Sequence, residues 1–149
     1  MSAWTFTAQA VPRGQPRVRA TAFGGRARVW TPSTADGFKS AVALAARDAV
    51  EPERWPIRHG WTLTAVFYLP RPQRLMGRKG GAKEMIPHTA RPDLDNLVKA
   101  AVDALVDSGI VHDDAPLYMI NCAKFYAEPD GTARAEFTLE ANTDTEKHG

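Results

Sequence analysis

Arg91-Pro92-Asp93-Leu94-Asp95-Asn96-Leu97-Val98-Lys99, continued by Ala100-Ala101-Val102-Asp103-Ala104-Leu105 toward Gly109, is the stretch that decides the fold of this 149-residue chain. Pro92 biases the residue before it toward extended backbone, so a helix starts at or after it. Leu94, Leu97, Val98, Ala101 and Leu105 recur at helical spacing. They predict an amphipathic helix from about Leu94 to Asp107, with Gly109 where a helix ends. Two carboxylates stand at its beginning. Either Asp93 is the N-cap with Asp95 in the first turn, or Asp93 lies in the extended lead-in and Asp95 caps. Deep inside a helix, residues two apart point about 200° away from each other. In extended backbone they face the same side. Two carboxylates at this spacing therefore converge only at a helix start, where the helix N-terminus also stabilises negative charge.

Downstream, residues 117–127 predict a strand. Pro129-Asp130-Gly131 predicts a turn, with Asp-Gly as a hairpin signal. Ala133, Ala135, Phe137 and Leu139 then alternate with Arg134, Glu136, Thr138 and Glu140, the pattern of a half-buried last strand. Upstream, residues 69–92 form a long loop, glycine-rich in its middle. In it Arg71, Arg74, Arg78, Lys79, Lys83 and Arg91 stand against Glu84 alone. A loop of that length inside a small domain is usually functional or disordered. Trp61, Leu63, Ala65 and Phe67 alternate with Thr62, Thr64, Val66 and Tyr68 in a half-buried strand that ends before Pro70. A helix capped by Ser33 or Thr34 runs to about Val50, burying Phe38, Ala41, Val42, Ala45 and Ala49, and Pro52 stops it. Residues 11–28 carry Arg13, Arg17, Arg19, Arg26 and Arg28 with no acid, in short extended pieces at 17–22 and 26–30. Trp4 to Gln9 is the first strand. This order predicts one α+β domain over residues 1–141, a two-layer sandwich of a mixed β-sheet with helices packed on one face. Residues 142–149 are expected to fray.

Charge is segregated along the chain. Residues 1–91 hold 15 Lys/Arg against 5 Asp/Glu, and residues 92–149 hold 4 against 12. Such a split suits a polyanion partner for one part and cations for the other. Other chemistries fit poorly. The one cysteine, Cys122, allows neither an internal disulfide nor a zinc cluster. An EF-hand counted from Asp93 would need an oxygen ligand, Gly and Glu where Leu97, Val98 and Ala104 stand. The four histidines lack metal-ligand spacing, and no glycine-rich loop ends in Lys-Ser/Thr. No run is long enough to span a membrane, and the start lacks a secretory signal, so a cytoplasmic protein is expected.

Aspartates at a helix start have a bland role in capping, worth about 0.5–2 kcal/mol. They have a chemical role as oxygen ligands for a hard divalent cation that activates water beside a phosphate. A third carboxylate has to come from elsewhere, and the Asp113-Asp114 pair is the natural source. Lys99 either pairs with Asp95 one turn away or stabilises charge on a scissile phosphate. Asp103, one turn further, is expected to orient Lys99.

Asp93-Leu94-Asp95-Asn96-Leu97, Lys99-Ala100, Asp103-Ala104-Leu105, Gly109 and Asp113-Asp114 together resemble the RusA family of Holliday junction resolvases. The resemblance implies a homodimer that cuts a four-way DNA junction symmetrically in recombination and repair, using Mg2+ with Mn2+ as a substitute. It implies Asp93, Asp95 and Asp114 as metal ligands and Lys99 as the essential lysine. RusA-like chains can carry Arg directly before the first Asp. Here that place is Pro92, with Arg91 one residue earlier. Arg13, Arg17, Arg19, Arg71, Arg74, Arg78, Lys79, Lys83 and Arg91 are the expected DNA contacts. The competing expectation is a non-catalytic DNA-binding module with a structural acidic patch.

Overall fold

The computed structural model of the protein describes residues 1–16, 34–76 and 85–142 in full, and 19–23 and 26–30 through their backbone. The described elements are β1 (Ser2–Ala8), β2 (Arg19–Phe23), β3 (Arg26–Trp30), α1 (Asp36–Ala49), β4 (Trp61–Leu69), α2 (Leu94–Ser108), β5 (Leu117–Tyr126) and β6 (Arg134–Ala141). Four strands form a mixed sheet in the order β1-β6-β4-β5, with β4 and β5 parallel and the other neighbours antiparallel. Strands β2 and β3 pair separately, Arg19 opposite Trp30 and Phe23 opposite Arg26. Of the expected tail, residues 142–149, all but Asn142 lie outside the described residues.

The two layers follow from alternation. Trp4, Phe6 and Ala8 of β1, Leu63, Ala65 and Phe67 of β4, and Ala135, Phe137 and Leu139 of β6 are buried in one core with Phe38 and Val42 of α1 and Leu97, Ala101 and Leu105 of α2. The register sets Phe6 opposite Phe137, and Phe137 opposite Ala65, so these side chains share a face. Thr5, Thr7, Thr64, Glu136 and Thr138 line the other face. The α+β sandwich with helices packed against a mixed sheet agrees with the sequence.

Three local expectations differ. The turn at Pro129-Asp130-Gly131 forms, with the Gly131 N–H donating to the Glu128 carbonyl at 2.9 Å. It does not join a hairpin, because β6 pairs with β1 and β4 while β4 separates it from β5. The physical reason is in the backbone. A two-residue Asp-Gly hairpin loop needs positive φ, and among the described residues only Gly109 has it. Second, α1 starts at Asp36 with Ala35 in the cap position and no side-chain cap bond, so Thr34 does not cap it. Ser33 lies outside the described residues. Third, β4 is buried along most of its length rather than on alternate residues, since strands flank both its edges. Tyr68, on its outer side, lies under the Arg134 guanidinium, 4.0 Å from the ring centre.

Candidate active site

Asp93 takes the N-cap position of α2 with extended backbone (φ −70°, ψ 146°), and Asp95 falls in the first turn. Of the two arrangements open from the sequence, this is the first. The side chain of Asp93 nevertheless makes no cap hydrogen bond. Its carboxylate is left exposed and uncommitted. Gly109 ends the helix in the left-handed conformation at φ 85°, as a C-terminal glycine does.

The start of α2 is fixed by contacts from far along the chain. Lys124 of β5 donates from Nζ to the carbonyls of Ala90 (2.6 Å) and Pro92 (2.7 Å). Two charge-assisted bonds thus hold the lead-in to Asp93. The Gln15 N–H donates to the Asn96 carbonyl at 3.0 Å. Gly14 sits so close that a Cβ there would come within 3.1 Å of the Asn96 Cβ. No sequence pattern singled out Lys124. It is one lysine on a strand, and its partners are carbonyls more than thirty residues away.

A groove of about 530 Å³ runs along α2, lined by Asp95, Lys99 and Asp103 of the helix and by Asp113, Asp114 and Ile120 beyond it. Asp93 stands just outside this lining, at the groove's helix-start end. Lys99 is exposed and makes no ion pair or hydrogen bond among the described residues, so the bridge to Asp95 does not form. Asp103 does not orient Lys99. It pairs with Lys39 of α1, which also lies 3.9 Å from Asp107. The reason is reach: α1 packs beside α2 and brings a lysine to that turn. At the other end, the Asp114 N–H donates to Asp113 Oδ1 at 2.7 Å. Hydrogen bonding with Asp114, through side chain first and backbone second, holds the Asp113 carboxyl below the usual carboxylate range. Asp113 and Asp114 thus engage each other at this turn.

The groove has two ends rather than one centre. Helix α2 spans 15 residues, about 22 Å at 1.5 Å per residue. Strand β5 runs back beside it, from Leu117 near Asp114 to Lys124 at the Asp93 lead-in. Asp93 and Asp95 thus stand at one end and Asp114 at the other. Among the described residues no three His, Cys, Asp or Glu side chains stand close enough to hold one metal ion.

The expected DNA contacts divide. Arg13, Arg74 and Arg91 are exposed. Arg71 is not: at 8% exposure it donates from Nε to the Ala127 carbonyl (2.7 Å) and from Nη1 to the Leu75 carbonyl (2.9 Å). It pins the start of the long loop to the end of β5, a role its arginine-rich neighbourhood concealed. Arg19 is described through its backbone alone, and Arg17, Arg78, Lys79 and Lys83 lie outside the described residues.

The family model for endodeoxyribonuclease RusA matches residues 9–138, from the end of β1 through most of β6. The chain belongs to the RusA endodeoxyribonuclease family. That family is one of Holliday junction resolving endonucleases. The RusA match takes in both ends of the groove and the basic segments at 11–16 and 69–91. The chain is also similar to an uncharacterized protein of Bacillus subtilis (strain 168), YqaN. The two are 31% identical over 127 residues, 83% of this RusA-family chain and 87% of that protein.

Proposed function

We propose that this RusA-family protein is a Mg2+-dependent endonuclease that resolves four-way DNA junctions in recombination and repair, acting as a homodimer in the cytoplasm. The observation that carries this reading is the state of the charged side chains at the start of α2. Asp93 occupies a cap position without capping, Asp95 is exposed in the first turn, and Lys99 has no partner among the described residues. These are held in place by Lys124 and Gln15, yet bind nothing of the protein.

The donor set suits magnesium, which takes oxygen ligands, keeps several waters and needs only one or two carboxylates plus substrate phosphate oxygens. Asp93 and Asp95 would hold it, with Asp114 as the third carboxylate. The chemistry such an ion supplies when bound is a lowered pKa for water and stabilisation of charge on the phosphate. Lys99, one turn beyond Asp95, would place its ammonium against the same phosphate and offset charge developing on its oxygens. Neither Asp93 nor Asp95 can also bind a phosphate directly without charge repulsion, so Lys99 and the nearby arginines would have to orient the strand.

Homodimerisation is supported by the exposed edge of the sheet. Strand β5 leaves Tyr118 (65%), Met119 (51%) and Ile120 (39%) exposed, while Pro87 bridges to Phe125 and covers the far half of the strand. An uncovered apolar edge is a template for pairing with another strand. Antiparallel pairing of this edge with its copy about a two-fold axis would carry the Asp114 end of one protomer to the helix-start end of its partner. The acids separated along α2 would then meet between protomers, and the two strands of a junction would face two equivalent sites.

The test is cleavage of a labelled four-way junction against linear duplex, with and without magnesium. Metal-dependent, paired cutting of the junction alone is expected. Binding without nicking would indicate a DNA-binding module, and equal cutting of both substrates a general nuclease. Mixing the inactive Asp95→Asn and Asp114→Asn proteins, with time to exchange subunits, should restore nicking at one site per dimer. No recovery in demonstrated mixed dimers would place Asp114 in its own protomer's site.

A further inference from the structure

A second cleft, of about 440 Å³, lies on the other side of the α2 start, where Pro92 forms part of its wall. Its lining differs in kind from that of the groove. It includes Arg13, Arg91, Thr34 and His88 among apolar residues such as Pro12 and Pro70, and no acid lines it among the described residues. Arg13 and Arg91 are exposed and make no ion pair or hydrogen bond among the described residues. The walls are not a loose surface. The 11–16 segment is seated on α2 by the Gln15–Asn96 bond and by the close approach of Gly14.

His88 is the unexpected member. It is 7% exposed, its ring centre lies 4.7 Å from that of Tyr126, and its backbone N–H donates to the Lys124 carbonyl at 3.1 Å. Burial, aided by the Lys124 ammonium, lowers its pKa below the ordinary histidine range. A neutral imidazole has one N–H donor. Nδ1 is sealed from solvent and has no hydrogen-bond partner, and Nε2 is not among the sealed, unpartnered atoms of the described residues. Buried N–H groups without an acceptor are the rarest of orphans. An unpartnered Nδ1 favours the neutral tautomer with its proton on Nε2, which leaves Nε2 to meet an incoming group. A fixed, neutral donor flanked by two exposed guanidinium groups and a hydroxyl, with no carboxylate in the cleft lining among the described residues, is complementary to a singly charged phosphodiester.

We propose that this cleft is a subsite for a phosphodiester group flanking the scissile one on the cut strand, with Arg13 and Arg91 supplying charge and His88 a hydrogen bond. It rests on the nuclease reading, and it adds a residue to it: His88 would fix the register of the strand whose next phosphate would be oriented by Lys99 beside Asp93 and Asp95. Arg91 and Pro92 connect the two sites directly, since they precede Asp93 in the chain.

The test uses the full chain and a four-way junction in calcium, where binding is read without turnover. His88→Leu is expected to weaken binding about tenfold, as loss of one charge-assisted hydrogen bond does. His88→Gln, which keeps a donor near the Nε2 position, should stay within about twofold of the unsubstituted protein. A scan of single methylphosphonates around the cut should find one flanking phosphate whose neutralisation weakens the unsubstituted protein but not His88→Leu. Equal binding by His88→Leu, failure of a folded His88→Gln to rescue, or additive losses at every phosphate would overturn the subsite. If the unsubstituted protein binds no DNA, the nuclease reading falls and the subsite with it. If it binds and His88→Leu binds equally, the subsite alone falls. Should His88→Leu melt out, Arg13→Gln on its exposed side chain carries the same phosphate test, with loss at the same position expected and no loss overturning the assignment.

Discussion

Two clusters of charge in this molecule are built on opposite terms. At one end of the sheet Arg134 is saturated. It donates to Glu128 at 2.9 and 3.0 Å and to Glu136 at 2.8 Å, and lies over Tyr68. The Arg134 guanidinium in turn holds the Glu128 carboxyl below the usual range. At the start of α2, Asp93, Asp95 and Lys99 are exposed and unpaired among the described residues, although the backbone beneath them is clamped by Lys124. The first cluster satisfies itself and closes a turn. The second is rigid at its base and open at its tips, which is what binding of a cation and a phosphate requires. Charge count does not separate the two, but partnership does.

The contrast can be broken by exchanging the consequences of substitution. Lys99→Ala should cost about 100-fold in the rate of cleavage, the loss typical of one charge-stabilising donor, with an unchanged melting temperature. A drop in melting temperature with near-normal cleavage would make Lys99 a structural residue like Arg134. Arg134→Ala should do the reverse, destabilising the fold by about 1–3 kcal/mol through lost charge-assisted bonds while leaving the cleavage rate of the folded protein intact. Its effect should also depend on pH. Glu128 has a folded pKa depressed by Arg134. Its stabilisation is therefore present above the unfolded carboxylate value and lost as pH falls through the folded one. Denaturation curves should show the difference between Arg134→Ala and the parent shrinking as the medium becomes strongly acidic. A pH-independent difference would mean that Arg134 acts through its packing on Tyr68. The smallest effect is expected at the far end of α2. Gly109→Ala meets no steric obstacle, but forces a Cβ into φ 85°, and should cost about 1 kcal/mol in stability with no change in cleavage.

Much of this was legible in the chain. The α2 boundaries and the glycine stop follow from Pro92, the apolar period and Gly109, all local signals, while the sequence leaves the choice of Asp93 over Asp95 as N-cap open and the backbone decides it. The two-layer fold follows from alternation in β1 and β6. What escaped depends on contacts across the chain. Asp-Gly was a hairpin signal, but strand order is settled by which edges pair, and β4 came between. Arg71 and Arg74 are close in sequence and chemically alike, yet one is buried against Ala127 and the other is exposed. Asp103 met Lys39 rather than Lys99 because α1 packs beside it. His88 and Lys124 carry no spacing signature, and only the sheet brings Lys124 to the lead-in of Asp93 and His88 against Tyr126. The separation of Asp114 from Asp95 is also topological: β5 runs opposite to α2, so residues preceding the strand lie at the wrong end of the helix.

The central claim is that the unpaired acids at the α2 start perform the chemistry. Its most direct test is Asp95→Asn, measured for magnesium-dependent cleavage of a four-way junction beside binding of the same junction. The account predicts that cleavage is lost while binding and melting temperature are retained. Cleavage at the parent rate by a correctly folded Asp95→Asn protein would contradict it.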